Sequence, residues 1–190
     1  MVCRLICLLL ILSGCSYRWA ADEGRTMSIP FVQGDEDGTL TAELIRSFDS
    51  AGPVRVGSDG RYRLDVAIVR EQVDSLGFRR DPQEIRGKIH KDLVQNEVRK
   101  TMTVEVALFE NGKKDPILGP FLLSSYVDMD YVDGDSLPDL QFQNAKGVKT
   151  TVLPFSLGQL ESQESAIEAA QRPLYKSLSQ KIVDVISSQW

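Results

Sequence analysis

Val98-Arg99-Lys100-Thr101-Met102-Thr103-Val104-Glu105-Val106-Ala107-Leu108-Phe109 is the stretch that decides the fold. Val98, Met102, Val104, Val106 and Leu108 share one parity, and only Lys100 breaks the apolar row. A period of two with β-branched residues is the signature of a strand with one buried face. A second run of the same kind precedes it. There Tyr62, Leu64, Val66 and Ile68 alternate with Arg61, Arg63, Asp65 and Ala67. Downstream, Asn111-Gly112 is a two-residue hairpin signal, and Ile117 to Val127 reads as the returning strand. Pro120 inside that strand asks for a bulge or an edge position, because proline donates nothing to a ladder.

Upstream, Met27, Ile29 and Phe31 alternate with Ser28, Pro30 and Val32, which predicts a first strand. Pro30 belongs at its end or on an edge. Asp35-Glu36-Asp37-Gly38 is a turn whose charges suit a position just before a helix N-terminus. Thr39 is the expected N-cap. Leu40, Leu44 and Phe48, with Ile45 beside them, give the helix one apolar stripe, and Gly52-Pro53 stops it. Asp128 to Phe155 has turn chemistry and is read as a long loop with a short strand near Lys149 to Leu153.

A closing helix starts near Ser162, with Ile167, Leu174, Leu178, Ile182, Val185 and Ile186 at helical spacing. Pro173 should kink it or begin a second segment in that segment's first turn. Strand, helix, three strands, helix predicts an α+β fold. The expected form is a two-layer sandwich, a mixed four-stranded or slightly larger sheet with two helices on one face.

The chain has 190 residues, 42% hydrophobic and 26% charged, which suits one globular domain. Its three cysteines are Cys3, Cys7 and Cys15, so the body holds no disulfide framework, Cys-based metal site or Cys nucleophile. A single histidine, His90, leaves little room for His-dependent chemistry. No Gly-rich phosphate loop, nucleophile elbow or zinc motif occurs. The acidic run Asp128, Asp130, Asp133, Gly134, Asp135, Asp139 fails the EF-hand pattern: position five is Val132 and position twelve is Asp139 rather than Glu. It reads as a solvated acidic loop. No catalytic set, cofactor or metal site is expected.

The N-terminus reads as an address. Arg4 precedes the apolar run Leu5 to Leu12, which is far short of the roughly 20 residues that cross a bilayer as a helix. Leu12-Ser13-Gly14-Cys15 resembles the lipobox of bacterial lipoproteins, whose cysteine carries the lipid. The expected organisation is a signal peptide at 1–14, a lipidated tether at 15–25 and one domain at 26–190. Ser16 stands where inner-membrane retention signals carry Asp, which points to the outer membrane. Loss of Arg4 takes the formal charge from −5 to −6, and an acidic body argues against nucleic acid as a partner. Trp19 and Trp190 are read as end residues that could meet a membrane or a partner.

One basic island stands out. Arg79, Arg80, Arg86, Lys88, Lys91, Arg99 and Lys100 face only Asp81, Glu84, Asp92 and Glu97 in the same stretch. It is either a solvated hairpin arm or a phosphate-binding surface, since Arg forks match phosphate oxygens.

Cys15-Ser16-Tyr17-Arg18-Trp19 resembles the Cys-Gly-Tyr-x-(apolar) opening of the LptE family of lipopolysaccharide-assembly lipoproteins, with Ser16 where Gly is usual. Ser28-Ile29-Pro30-Phe31 and Thr39-Leu40-Thr41-Ala42-Glu43-Leu44 are similar to that family's first strand and helix. Arg99 to Val106 is similar to its central strand, and Leu178 to Trp190 to its terminal helix. The net acidity and the acidic loop depart from the family pattern. The resemblance implies a sheet with two helices and no enzymatic activity. It further implies a lipoprotein that plugs and helps assemble an LptD-type outer-membrane barrel and contacts lipopolysaccharide there. The basic island is then the candidate lipopolysaccharide contact. The alternative is a lipoprotein that activates or pilots another envelope machine, such as a cell-wall synthase or a secretin.

Overall fold

The structure is a computed structural model and describes residues 25–51, 54–131, 141–151 and 162–189. The lipobox, the tether up to residue 24, Trp19, Trp190 and Asp133, Asp135 and Asp139 of the acidic loop lie outside the described residues.

A mixed five-stranded sheet forms one layer, in the order β2-β1-β3-β4-β5. Its strands are β1 (Thr26–Ser28), β2 (Arg55–Val56), β3 (Tyr62–Ile85), β4 (Lys88–Glu110) and β5 (Pro116–Asp130). Strand β1 runs parallel to β2 and β3, and the β3–β4–β5 meander is antiparallel. Helix α1 (Thr39–Ala51), helix α2 (Gln163–Ala169) and helix α3 (Gln171–Gln189) supply the other layer. A two-stranded hairpin, β6 (Gln141–Gln143) with β7 (Lys149–Thr151), stands apart from the sheet. The α+β expectation holds, with one more strand than four and the closing helix split in two.

The apolar parities form the core. Leu64 and Val66 of β3 are buried with Met102, Val104, Val106 and Leu108 of β4. Leu40, Leu44 and Phe48 of α1 and Leu174, Leu178, Ile182 and Ile186 of α3 close over them. Removing these side chains from water is the main favourable contribution to folding, roughly 1.5–3 kcal/mol for each fully buried residue of this size. Pro173 lies in the first turn of α3, where its missing N–H costs no helical bond. Ser162 caps α2 by accepting a hydrogen bond from the Ser165 amide at 3.3 Å.

Several expectations fail for local reasons. The first strand ends at Ser28, before Pro30, and Phe31 is 64% exposed while Val32 is buried. Strand parity cannot persist once the proline removes the ladder donor. Thr39 is the first helical residue rather than the N-cap. The Asp35 carboxylate takes the capping role: it accepts from the amides of Leu40 (3.3 Å) and Thr41 (2.8 Å) and from the Thr41 hydroxyl (2.6 Å). Asn111-Gly112 starts a five-residue connection over 111–115, not a two-residue loop. The two-residue turn of the meander is Arg86-Gly87, with φ of 54° and 73°. Within the span read as a loop, Asp128 and Asp130 belong to β5 and Gln141–Gln143 forms β6, whereas the short strand expected near Lys149 is present as β7.

Both sheet edges are blunted. Strand β2 is two residues long, and β5 carries Pro116 and Pro120. The ladder shifts register between Val106↔Phe121 and Leu108↔Leu118, so Gly119-Pro120 bulges out as the proline requires. Lys181 of α3 donates to the Ser124 carbonyl at 2.9 Å, and Ser177 bonds Ser125 at 2.8 Å, tying helix to edge strand.

Candidate functional site

Strands β3 and β4 outrun the rest of the sheet. The β4–β5 ladder ends at the Glu97↔Asp130 pair, with one further bond from the Tyr131 amide to the Asn96 carbonyl at 3.1 Å, and β3 and β4 pair on from Phe78↔Gln95 to Ile85↔Lys88 as a two-stranded ribbon. Eight residues per strand at about 3.3 Å each give an arm of about 26 Å. The basic island lies along this arm and its root, so the hairpin-arm geometry read from sequence is present.

The seven candidate residues divide into two groups. Arg80, Arg86, Lys88 and Lys91 are exposed on the ribbon, and Arg79 is half-buried. Arg86 lies in the turn, the point farthest from the core, and Lys88 follows it at the start of β4. Arg99 and Lys100 lie at the root, where β4 is the middle strand, and both are held in ion pairs.

Arg99 makes a two-pronged contact with Asp128, Nε to Oδ1 at 2.6 Å and Nη2 to Oδ2 at 2.7 Å. Its guanidinium also sits 4.1 Å from the Tyr126 ring centroid. The hydrogen bond from Arg99 holds the Asp128 carboxyl below the usual carboxylate range, and the same bond raises Arg99. Lys100 is only 6% exposed and occupies the core parity seen in the sequence. Its Nζ lies 2.6 Å from Glu71 Oε1, the carboxylate of a side chain that is 46% exposed. The root cations are therefore structural partners, whereas Arg80, Arg86, Lys88 and Lys91 of the arm face solvent.

The alternation of Val98 to Leu108 contained the position of Lys100 but not its partner. Glu71 sits 29 residues away in a run without alternation, and only the β-bulge between Ile68 and Arg70 brings it to the same face. The sequence reading also passed over Phe78 and Leu93, both exposed on the arm. Large apolar residues next to arginine and lysine in a stretch without core periodicity were the available signal.

Another concavity lies at the opposite end of the sheet. An open cleft of about 490 Å³ is lined by Ser28, Ile29, Pro30, Ile45, Asp49, Val56, Gly57 and Ser58. No titratable pair or ligating cluster lines it. Among the described residues no group of three His, Cys, Asp or Glu is placed to hold a metal ion. No helix among them is long and apolar enough to cross a membrane.

The LptE family model, described as lipopolysaccharide-assembly, matches residues 24–186. The chain belongs to the LptE family. The match takes in the sheet, the arm and nearly all of α3, so the arm is part of the family domain rather than an appendage. Family membership gives this chain a place in lipopolysaccharide assembly, as a lipoprotein of that family. None of the curated proteins matches the chain. Similar solved structures include a minor lipoprotein from Acinetobacter baumannii, 14% identical, covering 87% of this chain and 94% of that one, with a TM-score of 0.47. Another is the rare lipoprotein B from Shewanella oneidensis, 13% identical, covering 86% and 94%, with a TM-score of 0.41. The LptE assignment rests on the family model and not on these two likenesses.

Proposed function

We propose that this LptE-family chain is an outer-membrane lipoprotein that plugs and helps assemble an LptD-type β-barrel delivering lipopolysaccharide to the outer leaflet. The family match over 24–186 carries the reading. It acts by fitting partners rather than by making or breaking bonds. In this reading residues 1–14 are the signal, Cys15 bears the lipid, 15–25 is the tether and 26–190 the domain. More than one acyl chain on Cys15 anchors stably, where a single chain binds a bilayer only marginally.

Arg79, Arg80, Arg86, Lys88 and Lys91 supply the phosphate contact from the arm, and Arg99 and Lys100 support its root. Three features support this division. Four of the arm's five cations are solvent-facing, the chain as a whole carries −5, and the root cations are already paired. In an acidic protein the arm is where a polyanion meets attraction instead of repulsion.

Affinity purification of the lipidated chain from envelope membranes tests the plug: a detergent-resistant β-barrel partner is expected. Recovery of a cell-wall synthase or a secretin instead would select the activator or pilot alternative. Cys15→Ala should abolish palmitate labelling and signal cleavage, and unaltered maturation would remove the anchor from the account. Reversing Arg86, Lys88 and Lys91 together to Glu should weaken lipopolysaccharide binding, and unchanged binding would dismiss the arm.

A further inference from the structure

We propose that the cleft between β1, β2 and α1 seats the chain's own tether through Tyr17, Arg18 and Trp19. The inference rests on the lipid-anchor reading above, because a docked tether matters only where lipid holds its far end.

The cleft lies where the tether enters the domain. The Arg55 amide donates to the Arg25 carbonyl at 3.1 Å, and Thr26 pairs with Arg55 in the parallel β1–β2 ladder. Val56, the next residue of β2, already lines the cleft, and Ser28 lines it from β1. Helix α1 closes another side with Ile45 and Asp49. Trp19 stands six residues before Arg25, a reach of up to about 20 Å, and Ser28 stands three residues after it, about 10 Å away. Gly24 suits the reversal that brings the tether back toward β2, the last strand on that side of the sheet.

The lining matches the tether's chemistry. Ile29, Pro30, Ile45 and Val56 supply an apolar wall, and Asp49 is an exposed carboxylate beside it. None of the ion pairs among the described residues involves Asp49. An occupant of this surface brings apolar area and one cation together. Tyr17-Arg18-Trp19 places a guanidinium between two aromatic side chains, each able to bury about 150–250 Å². Asp22 and Glu23 then fall near the entry point, where Arg55 is exposed on β2. A tethered segment also acts at an effective concentration of about millimolar, so a contact too weak for a free peptide suffices.

Docking shortens the leash. Extended, the eleven residues 15–25 reach up to about 40 Å. With the chain held in the cleft from Tyr17 onward, only Cys15 and Ser16 separate this end of the domain from the lipid surface.

The test uses the full lipidated protein in detergent, carrying Trp190→Phe so that Trp19 is its single tryptophan. Acrylamide quenching is compared in this background and in three variants of it: Asp49→Lys, Asp49→Lys with Arg18→Glu, and Gly57→Phe. A Cβ at Gly57 meets no atom within 4 Å, so the phenylalanine has room to fill the cleft. Trp19 should be shielded in the background, and Asp49→Lys should lower the docking equilibrium about fivefold. The charge swap should restore the shielding, and Gly57→Phe should abolish it. Equal quenching in the background and in Gly57→Phe overturns the proposal. So does shielding that every variant keeps, which would put the indole in the detergent, or a swap that leaves Trp19 exposed. Shielding lost on dilution overturns it as well, since the tether would then belong to a second copy. Palmitate labelling of the same protein reads the anchor separately. Its absence sinks that reading, while the quenching contrast decides this one.

Discussion

Lys100 Nζ stands 2.6 Å from Glu71 Oε1, on the side of the sheet that everywhere else on β4 from Val98 to Leu108 buries an apolar residue. The two are not direct cross-strand partners: Glu71 pairs with Met102 and Lys100 with Val73. The ion pair runs diagonally across the root of the arm. A buried ammonium contributes little net stability even when paired, because desolvation offsets the attraction, but losing its partner is costly. Glu71→Gln should therefore destabilise by about 1–3 kcal/mol, less than a fully buried pair because the carboxylate is half-exposed. Lys100→Met should be neutral or stabilising. Urea midpoints of the two variants check this, and a larger loss for Lys100→Met than for Glu71→Gln would refute it.

Asp35 is a buried carboxylate that satisfies two amides and a hydroxyl at the start of α1. The Thr41 hydroxyl in turn accepts from the Val32 amide at 3.1 Å, so the network joins the helix to the chain leaving β1. Asp35→Ala should cost about 2–3 kcal/mol, combining a lost cap with orphaned buried donors. Asp35→Asn should cost less. Thermal melts measure both.

Acid should weaken the fold through exposed carboxylates. Asp128 is lowered by its hydrogen bond from Arg99, Glu110 by Lys113 and then Arg61, and Asp37 by the Thr39 amide. A carboxyl whose folded pKa lies below its unfolded value binds fewer protons when folded, so its contribution is present above the unfolded pKa. It is lost as pH falls through the folded one. Stability should be flat above about pH 5 and decline below the ordinary carboxylate range, near 4. Carboxyl NMR titration should place Asp128 below the usual range in the wild type and return it to that range in Arg99→Gln. No difference between the two would remove the ion pair as the cause.

Gly60 sets the approach of β1 to the β2–β3 connection. A Cβ there would lie 2.3 Å from the Ser28 amide nitrogen and 2.4 Å from the Met27 carbonyl carbon. Both are backbone atoms and cannot rotate aside. Gly60→Ala should destabilise by about 3 kcal/mol or more, as forced overpacking does at its upper end. Gly57→Ala, with open space around the new methyl, is the control and should sit within about 0.5 kcal/mol of wild type.

Arg86 offers a prediction with two opposite signs. Arg86→Asn relieves the positive φ and should raise arm stability by about 0.5–1 kcal/mol, read as slower amide exchange in the ribbon. The same variant should bind lipopolysaccharide more weakly. Loss of binding together with faster exchange would mean that the residue only builds the turn.

Periodicity was the legible part of this protein. The parities of Leu64 and Val66 and of Met102 to Leu108, the stripe Leu40, Leu44, Phe48 and the spacing Leu174 to Ile186 each report one buried face. They report it because alternation and helical spacing follow from local backbone geometry. The break before Pro173 and the bulge at Pro120 were legible for the same reason, since proline's constraints are local. The basic island was legible as charge but not as two sites. What divides it is where β5 stops, at the Glu97↔Asp130 pair, and that is a fact about a third strand.

By itself, then, the sequence determined which residues turn inward, that sheet and helices share one core, and that cationic charge gathers between Arg79 and Lys100. Only the tertiary structure decided that, among the described residues, β3 and β4 run on past their neighbours as a two-stranded ribbon. It alone gave Lys100 to Glu71 and Asp35 to the α1 amides, and placed Phe78 and Leu93 as exposed residues of the arm. Inward-facing residues are set by local repeat, which neighbours along the chain specify. Bulge positions, strand ends and ion-pair partners depend on contacts across tens of residues, whose geometry no local repeat encodes.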